Sequence, residues 1–347
     1  MAFAADAARF PLASLNRSHA DSDAAARGPA PRPLIGGITC ALGAGLLWGF
    51  VFIVPLILPE YPPAALSFGR YIGFGIIAVF LASADLPRLR QLGWRDWRMA
   101  AELALVGNIL YYLFLSAAVQ RADAPLPTMI VGTLPVVIAI VANLGADALP
   151  WPRLLPALLV TGSGIALVNQ HEIGLAGAQR SVQDHFTGAL LALAAVGAWT
   201  WYPIRNARWL RENPGLASGT WAVAQGLATL PLAVVGMALT GPLWAMGGAF
   251  DYPLGPDPLR YIALMLALGL CASWLGTLLW NRACRLLPTA LSGQLIVFET
   301  LAAFAYAFVW RGTMPGASAL LGITLLITGV VLAIRAFHTS QQTGAGH

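Results

Sequence analysis

The 347-residue chain is 58% hydrophobic and only 10% charged, with a mean hydropathy of +0.71. A soluble protein of this size could not cover its surface with so few charges, so the composition points to an integral membrane protein in contact with a lipid bilayer. The net charge of +5 comes from arginines spread over the loops, lysine being absent, which excludes a concentrated nucleic-acid surface. The cysteines Cys40, Cys271 and Cys284 are isolated from one another and no two histidines stand at ligand spacing, so no metal and no cofactor is expected.

In chain order, residues 1–33 are rich in Ala, Ser, Arg and Pro and hold no apolar run as long as a signal-peptide core, which predicts a disordered cytoplasmic tail. From Leu34 onward the template of about 20 apolar residues per bilayer crossing matches repeatedly. It predicts helices over 35–57, 64–84, 99–119, 124–145, 152–169, 186–204, 219–240, 260–281, 288–310 and 315–336, and a short C-terminal tail over 338–347. The arginines set the orientation, because short cytoplasmic loops retain positive charge. With the N-terminus inside, fifteen arginines fall on the cytoplasmic side, whereas Arg121, Arg180, Arg260 and Arg311 fall outside and Arg70 lies within the second helix. Both termini are then cytoplasmic, which requires an even number of crossings.

The sequence also contains an internal repeat. A shift of 151 places Gly37, Ala41, Ala44 and Trp48 on Gly188, Ala192, Ala195 and Trp199, one helix face of three small residues and a tryptophan. A shift of 164 places Arg121 on Arg285, Thr128 on Ser292 and Pro135 on Glu299. Two units of five helices, an odd number, enter the membrane from opposite sides. The expected fold is therefore an all-α membrane protein of ten transmembrane helices in two inverted five-helix repeats, over 34–170 and 186–337 with a linker at 171–185.

Leu46-Leu47-Trp48-Gly49 in the first helix, Arg70-Tyr71 in the second, Tyr111-Tyr112 in the third, Pro135-Val136 in the fourth and Ala198-Trp199 through Tyr202 in the sixth carry a family resemblance. With these spacings the chain resembles the EamA-like branch of the drug/metabolite transporter superfamily, over residues 35–336. The resemblance implies a carrier of the bacterial inner membrane that exports amino acids or other small metabolites, and no enzyme. It departs at two places: the family's ninth-helix proline is Glu299 here, and the acidic residue that often follows the ninth helix is missing from Trp310-Arg311-Gly312, although Asp147 follows the fourth.

Glu299 is the central candidate. A carboxylate at mid-bilayer is costly, so such groups face a protein interior or a water path and belong to a mechanism, as a proton carrier or as the counter-ion of a cationic group; a structural carboxyl held by a neighbour is the alternative. Arg70 could bind a substrate carboxylate, pair with Glu299 or close the outer side. Trp48, Tyr111, Trp199 and Trp274 are candidate cavity-lining aromatics, with lipid-facing fillers as the alternative. Thr277 belongs to a polar stripe with Ser273, Trp280 and Asn281 that should face protein or water. Tyr306 shares the helix face of Glu299. Pro135, in the middle of the fourth helix, would free a backbone carbonyl or kink the helix for packing. Asn108, Asn143, Gln225 and Gln294 are expected to bridge helices. The pairs Gly45/Gly49 and Gly69/Gly73 could serve internal packing or a homodimer.

These residues predict a secondary active transporter for a small-molecule substrate, working by alternating access about a site between the first, third, fourth, sixth, eighth and ninth helices, with protons as the candidate coupling ion. The alternatives are an uncoupled facilitator or importer, and a non-transporting sensor or lipid-handling protein.

Overall fold

Ten helices follow one another in a computed structural model that describes residues 34–58, 60–122, 127, 130–144, 149–173, 181–246, 250–312, 314 and 316–344. The expected tail over 1–33, Asp147 and the middle of the linker, 174–180, lie outside the described residues.

Helix α1 (Leu34–Gly49) is prolonged by the 3-10 turn Phe50–Phe52 and the short helix Val54–Ile57. It is followed by α2 (Pro63–Leu89) and by α3, whose halves Trp94–Leu103 and Tyr111–Ala122 are joined by the π-helical stretch Ala104–Leu110. Next come α4 (Leu134–Ala142), α5 (Trp151–Ile173), α6 (Val182–Glu212) and α7 (Ser218–Met246). The chain closes with α8 (Pro258–Leu268 and Gly276–Leu286, joined by the π-helical stretch Gly269–Leu275), α9 (Thr289–Leu295 and Val297–Arg311) and α10 (Ala317–Gly344). Among the described residues, six helices are long and apolar enough to cross a membrane by length and composition. Large apolar side chains such as Phe80, Leu144, Leu239 and Val309 are exposed around the bundle, as lipid-facing positions are.

Several helices overrun their expected ends. The hydropathy window stops α6 at 204, yet the helix runs to Glu212, and α3 begins at Trp94 rather than at 99. The cause is the same in both: Arg205, Arg208 and Arg211, or Arg95 and Arg98, end the apolar window but are good helix formers, so the helix continues where the membrane ends. α10 likewise runs past 337 to Gly344.

The packing is reciprocal. α1 packs on α8 and α9, and α6 packs on α3 and α4; α2 packs on α7 and α8, and α7 on α2 and α3; α5 pairs with α10, and α4 with α9. Exchanging each helix for the one five places along the chain converts these pairings into one another, but α6 also packs on α8 and α9, with no comparable α1–α3 or α1–α4 contact among the described residues. Both glycine pairs are consumed within the chain. A Cβ on Gly45 would meet the Glu299 backbone nitrogen at 3.0 Å and one on Gly49 would meet the Ala302 Cβ at 2.8 Å, so α1 and α9 touch backbone to backbone. Gly69 and Gly73 lie against Tyr261 and Met265 of α8, which leaves neither pair for a homodimer.

At one end of the bundle the 250–257 loop clamps the α1–α2 turn. Tyr61 stacks on Tyr261 at 4.8 Å, meets the Phe250 ring edge-on, donates to the Leu254 carbonyl and accepts from the Asp257 N–H. Gly255, at φ +74°, supplies the left-handed turn that brings this loop under the Tyr61 ring.

Candidate functional site

A cavity of about 170 Å³ lies between α1, α2, α3, α6, α8 and α9. A protein cavity of about 150 Å³ takes a ligand the size of benzene, so this one has room for a single small metabolite. Among the described residues α4 contributes nothing to its wall, and α2 takes the place expected of α4. Of the expected residues, Glu299, Arg70, Trp48, Tyr111, Trp199 and Thr277 line it.

Glu299 lines the cavity just beyond an irregular turn in α9. The helix ends at Leu295, the Glu299 N–H bonds the Ile296 carbonyl, and the carboxylate falls in the first turn of Val297–Arg311. A helix N-terminus carries partial positive charge, a favourable seat for an anion. Across the cavity stands Arg70, whose Nε donates to the Ser273 hydroxyl at 3.0 Å and whose guanidinium lies 5.2 Å from the centre of the Tyr71 ring. Among the described residues the two charges face the same space without a direct ion pair.

The apolar wall is a chain of rings. Trp48 meets Trp280 at 5.4 Å and the edge of Trp199 at 5.8 Å, and Trp199 stacks on Tyr111 at 5.1 Å and on Tyr202 at 5.0 Å. Trp48 is fixed by its indole N–H, which donates to the Ala272 carbonyl at 2.8 Å within the π-helical stretch of α8. Gly276 leaves room for that indole, since a Cβ there would stand 2.6 Å from Trp48 Nε1.

Below Tyr202 the polar residues close into a buried network. The Tyr202 hydroxyl donates to Gln225 Oε1 at 2.9 Å. Asn206 Oδ1 accepts from Trp221 Nε1 at 2.8 Å and from Gln225 Nε2 at 3.3 Å, and Asn206 Nδ2 donates to Asn281 Oδ1 at 2.8 Å. An orphaned buried polar group costs about 1–3 kcal/mol, so Asn206→Ala, which orphans Trp221 and Asn281 together, is expected to lower stability by about 2–4 kcal/mol. Thermal unfolding of the protein in detergent micelles measures it; an unchanged midpoint contradicts the network.

Three expected residues stand elsewhere. Pro135 is buried in the first turn of α4, after a turn at Gly132–Thr133, rather than in mid-helix. There its missing N–H needs no acceptor, and it follows directly on the break that separates the helical residues Ile130 and Val131 from α4. Trp274, one residue past Ser273, is not part of the cavity lining and packs against the cluster that holds Phe68, Tyr71 and Phe74. Tyr306, seven residues or about 10 Å beyond Glu299 along the helix, donates to the Leu46 carbonyl at 3.1 Å and stacks on Phe50. Three of the expected amide bridges join helices: Asn108 donates to Thr229 and also lines the cavity, and Gln225 and Gln294 bond Asn206 and Thr161; Asn143 instead bonds locally to Leu149 across the turn after α4.

The cavity residues that sequence reasoning left out as site members are Val51, Tyr71, Phe74, Asn108, Tyr112, Leu115, Tyr202 and Ser273. Tyr71 and Tyr112 each adjoin a chosen residue, and Ser273 belongs to the noted stripe. These were the available signals.

Comparison with known proteins follows the same lines. The model of the EamA-like transporter family matches residues 35–170. The inner membrane protein YtfF of Escherichia coli (strain K12) is 47% identical over 309 residues, 87% of this chain and 96% of its own length. The chain belongs to the EamA-like transporter family. Members of this family are transporters, not enzymes. A more distant relative, described as "Probable terminal-alkyne amino-acid exporter" in Streptantibioticus cattleyicolor, is 26% identical over 80% of this chain and 86% of its own. A solved structure superposes with a TM-score of 0.65 at 18% identity, over 86% of this chain and 96% of its own, a likeness of fold alone.

Proposed function

We propose that this EamA-like protein is a secondary transporter that exports a small zwitterionic metabolite, an amino acid, across the inner membrane, exchanging it for protons by alternating access. The observation that carries the reading is the placement of Glu299 and Arg70 on one cavity walled by Trp48, Trp199 and Tyr111. A zwitterion with an apolar side chain complements all three features: a carboxylate for Arg70, an ammonium for Glu299 and an apolar body for the rings. The exporter named above supports the substrate class.

The coupling follows from electrostatics. An unneutralised carboxylate in a membrane interior is unfavourable, so Glu299 carries either a proton or the substrate's ammonium group. Binding one expels the other, and exchange results. Two inverted repeats of five helices, with both termini cytoplasmic, are the frame for this cycle. Supporting that frame are the reciprocal packing, the breaks at Gly132–Thr133 and Ile296 in α4 and α9, and the π-helical stretches at Ala104–Leu110 and Gly269–Leu275.

Counterflow into proteoliposomes tests the substrate. Vesicles loaded with unlabelled L-leucine should accumulate external labelled L-leucine, and leucine methyl ester and 3-methylbutylamine, which lack the carboxylate, should compete poorly. No accumulation with any proteinogenic amino acid refutes the amino-acid reading.

A further inference from the structure

The two anchors of the cavity wall meet at one irregular piece of backbone. In the π-helical stretch Gly269–Leu275, the Ala272 carbonyl accepts from the indole of Trp48, and the next residue, Ser273, accepts from Nε of Arg70. Helical segments with i to i+5 bonding are rare and frequently stand at functional sites. Ser273 is buried, at 3% exposure, although its hydroxyl looks onto the cavity.

Holding Arg70 by Nε has a geometric consequence. The guanidinium is planar with its donors in a fixed fork, so a bond at Nε fixes the plane and the direction of Nη1 and Nη2. Among the described residues no acceptor takes those two terminal nitrogens. They form the pair of parallel donors that matches a planar two-oxygen anion. The Tyr71 ring beside the guanidinium limits its swing further.

We propose that Ser273 is a positioning residue for substrate recognition: by fixing Nε of Arg70 it presents the terminal nitrogens as a two-pronged receptor for a carboxylate. This rests on the reading of the cavity as the substrate site. Ser273 does not touch the substrate; it acts through Arg70. A free arginine side chain would sample many rotamers and engage the carboxylate with one nitrogen at a time, so removal of Ser273 weakens binding of carboxylates while leaving binding of amines alone.

The test uses the full chain in lipid nanodiscs and three probes: L-leucine, 4-methylpentanoate, which lacks the ammonium group, and 3-methylbutylamine, which lacks the carboxylate. Ligand-induced thermal stabilisation gives the apparent affinity. In Ser273→Ala the affinity for L-leucine and 4-methylpentanoate should fall about tenfold, the factor that one lost hydrogen bond to a charged group represents. The affinity for 3-methylbutylamine should match that of the unaltered protein. Ser273→Thr, which keeps the hydroxyl, should restore carboxylate binding, and Arg70→Gln should abolish it. In transport the Ser273→Ala defect should appear in KM with the maximal rate kept. The proposal is overturned if Ser273→Ala binds both carboxylates like the unaltered protein, if it weakens all three probes equally, or if 4-methylpentanoate never binds. Carboxylate binding with this Ser273 dependence, but without counterflow of any amino acid, upholds the positioning role and refutes the amino-acid reading.

Discussion

Glu299→Gln removes the response of transport to a pH gradient. In proteoliposomes containing the unaltered protein, a medium one pH unit more acid outside than inside should change L-leucine flux by up to about tenfold, the factor of proton activity that one unit represents. In the variant the ratio of flux with and without the gradient should fall to one. Glutamine keeps the volume and one oxygen, and the Glu299 backbone bond to Ile296 does not involve the side chain, so the break in α9 and the contact with Gly45 survive. The loss is then assigned to the ionisable oxygen. A variant that binds L-leucine more weakly yet keeps its gradient ratio would make Glu299 the counter-ion of the ammonium group and remove the proton from the mechanism.

The second large effect lies in packing. Gly45 sits where α1 and α9 touch backbone to backbone, with the Glu299 nitrogen 3.0 Å and the Phe298 carbonyl carbon 3.2 Å from the position of a Cβ. The obstacle is main chain, which cannot rotate away. Gly45→Leu must separate the helices at the point that holds the carboxylate, and overpacking of this kind costs about 1–3 kcal/mol or more. Transport should fall about a hundredfold, because a displacement near 1 Å at a binding group has effects of that order, and the unfolding temperature should drop by several degrees. Gly197→Leu is the control. Nothing lies within 4 Å of a Cβ at Gly197, so this variant should fold and transport normally. Equal loss in both would mean that added bulk, and not its place against α9, does the damage.

How far the sequence could be read depended on the kind of signal. Bilayer thickness and the scarcity of charge made the helices visible. Their ends were hidden where arginines continue a helix past the apolar window, as in α6. The π-helical stretches leave hydropathy unchanged, so nothing in Gly269–Leu275 announced that Ala272 and Ser273 would serve Trp48 and Arg70. The break in α9 carries no proline to mark it. For the cavity, intramembrane charge and a repeated tryptophan pointed to Glu299, Arg70, Trp48 and Trp199. Rotation about a helix axis cannot be set from one sequence to better than a residue or two. Trp274 was therefore placed on the cavity side while its neighbour Ser273 occupies it, and Tyr202, one of the aromatic residues that could line a cavity, was ranked below Trp199.

The network below Tyr202 bears on how the empty carrier spends its time. Under alternating access, admitting water from that end means parting bonds that join α6 to α7 and α8, among them Asn206–Trp221, Asn206–Asn281 and Tyr202–Gln225. At about 0.5–1.5 kcal/mol net for each, three such bonds amount to some 1.5–4.5 kcal/mol. That bias holds about 90 to more than 99.9% of unloaded molecules in the closed arrangement. On the proposed alternating-access cycle, opening that end is then the uphill step for the unloaded carrier, and the apparent affinity of any ligand that needs it open is lowered by the same factor.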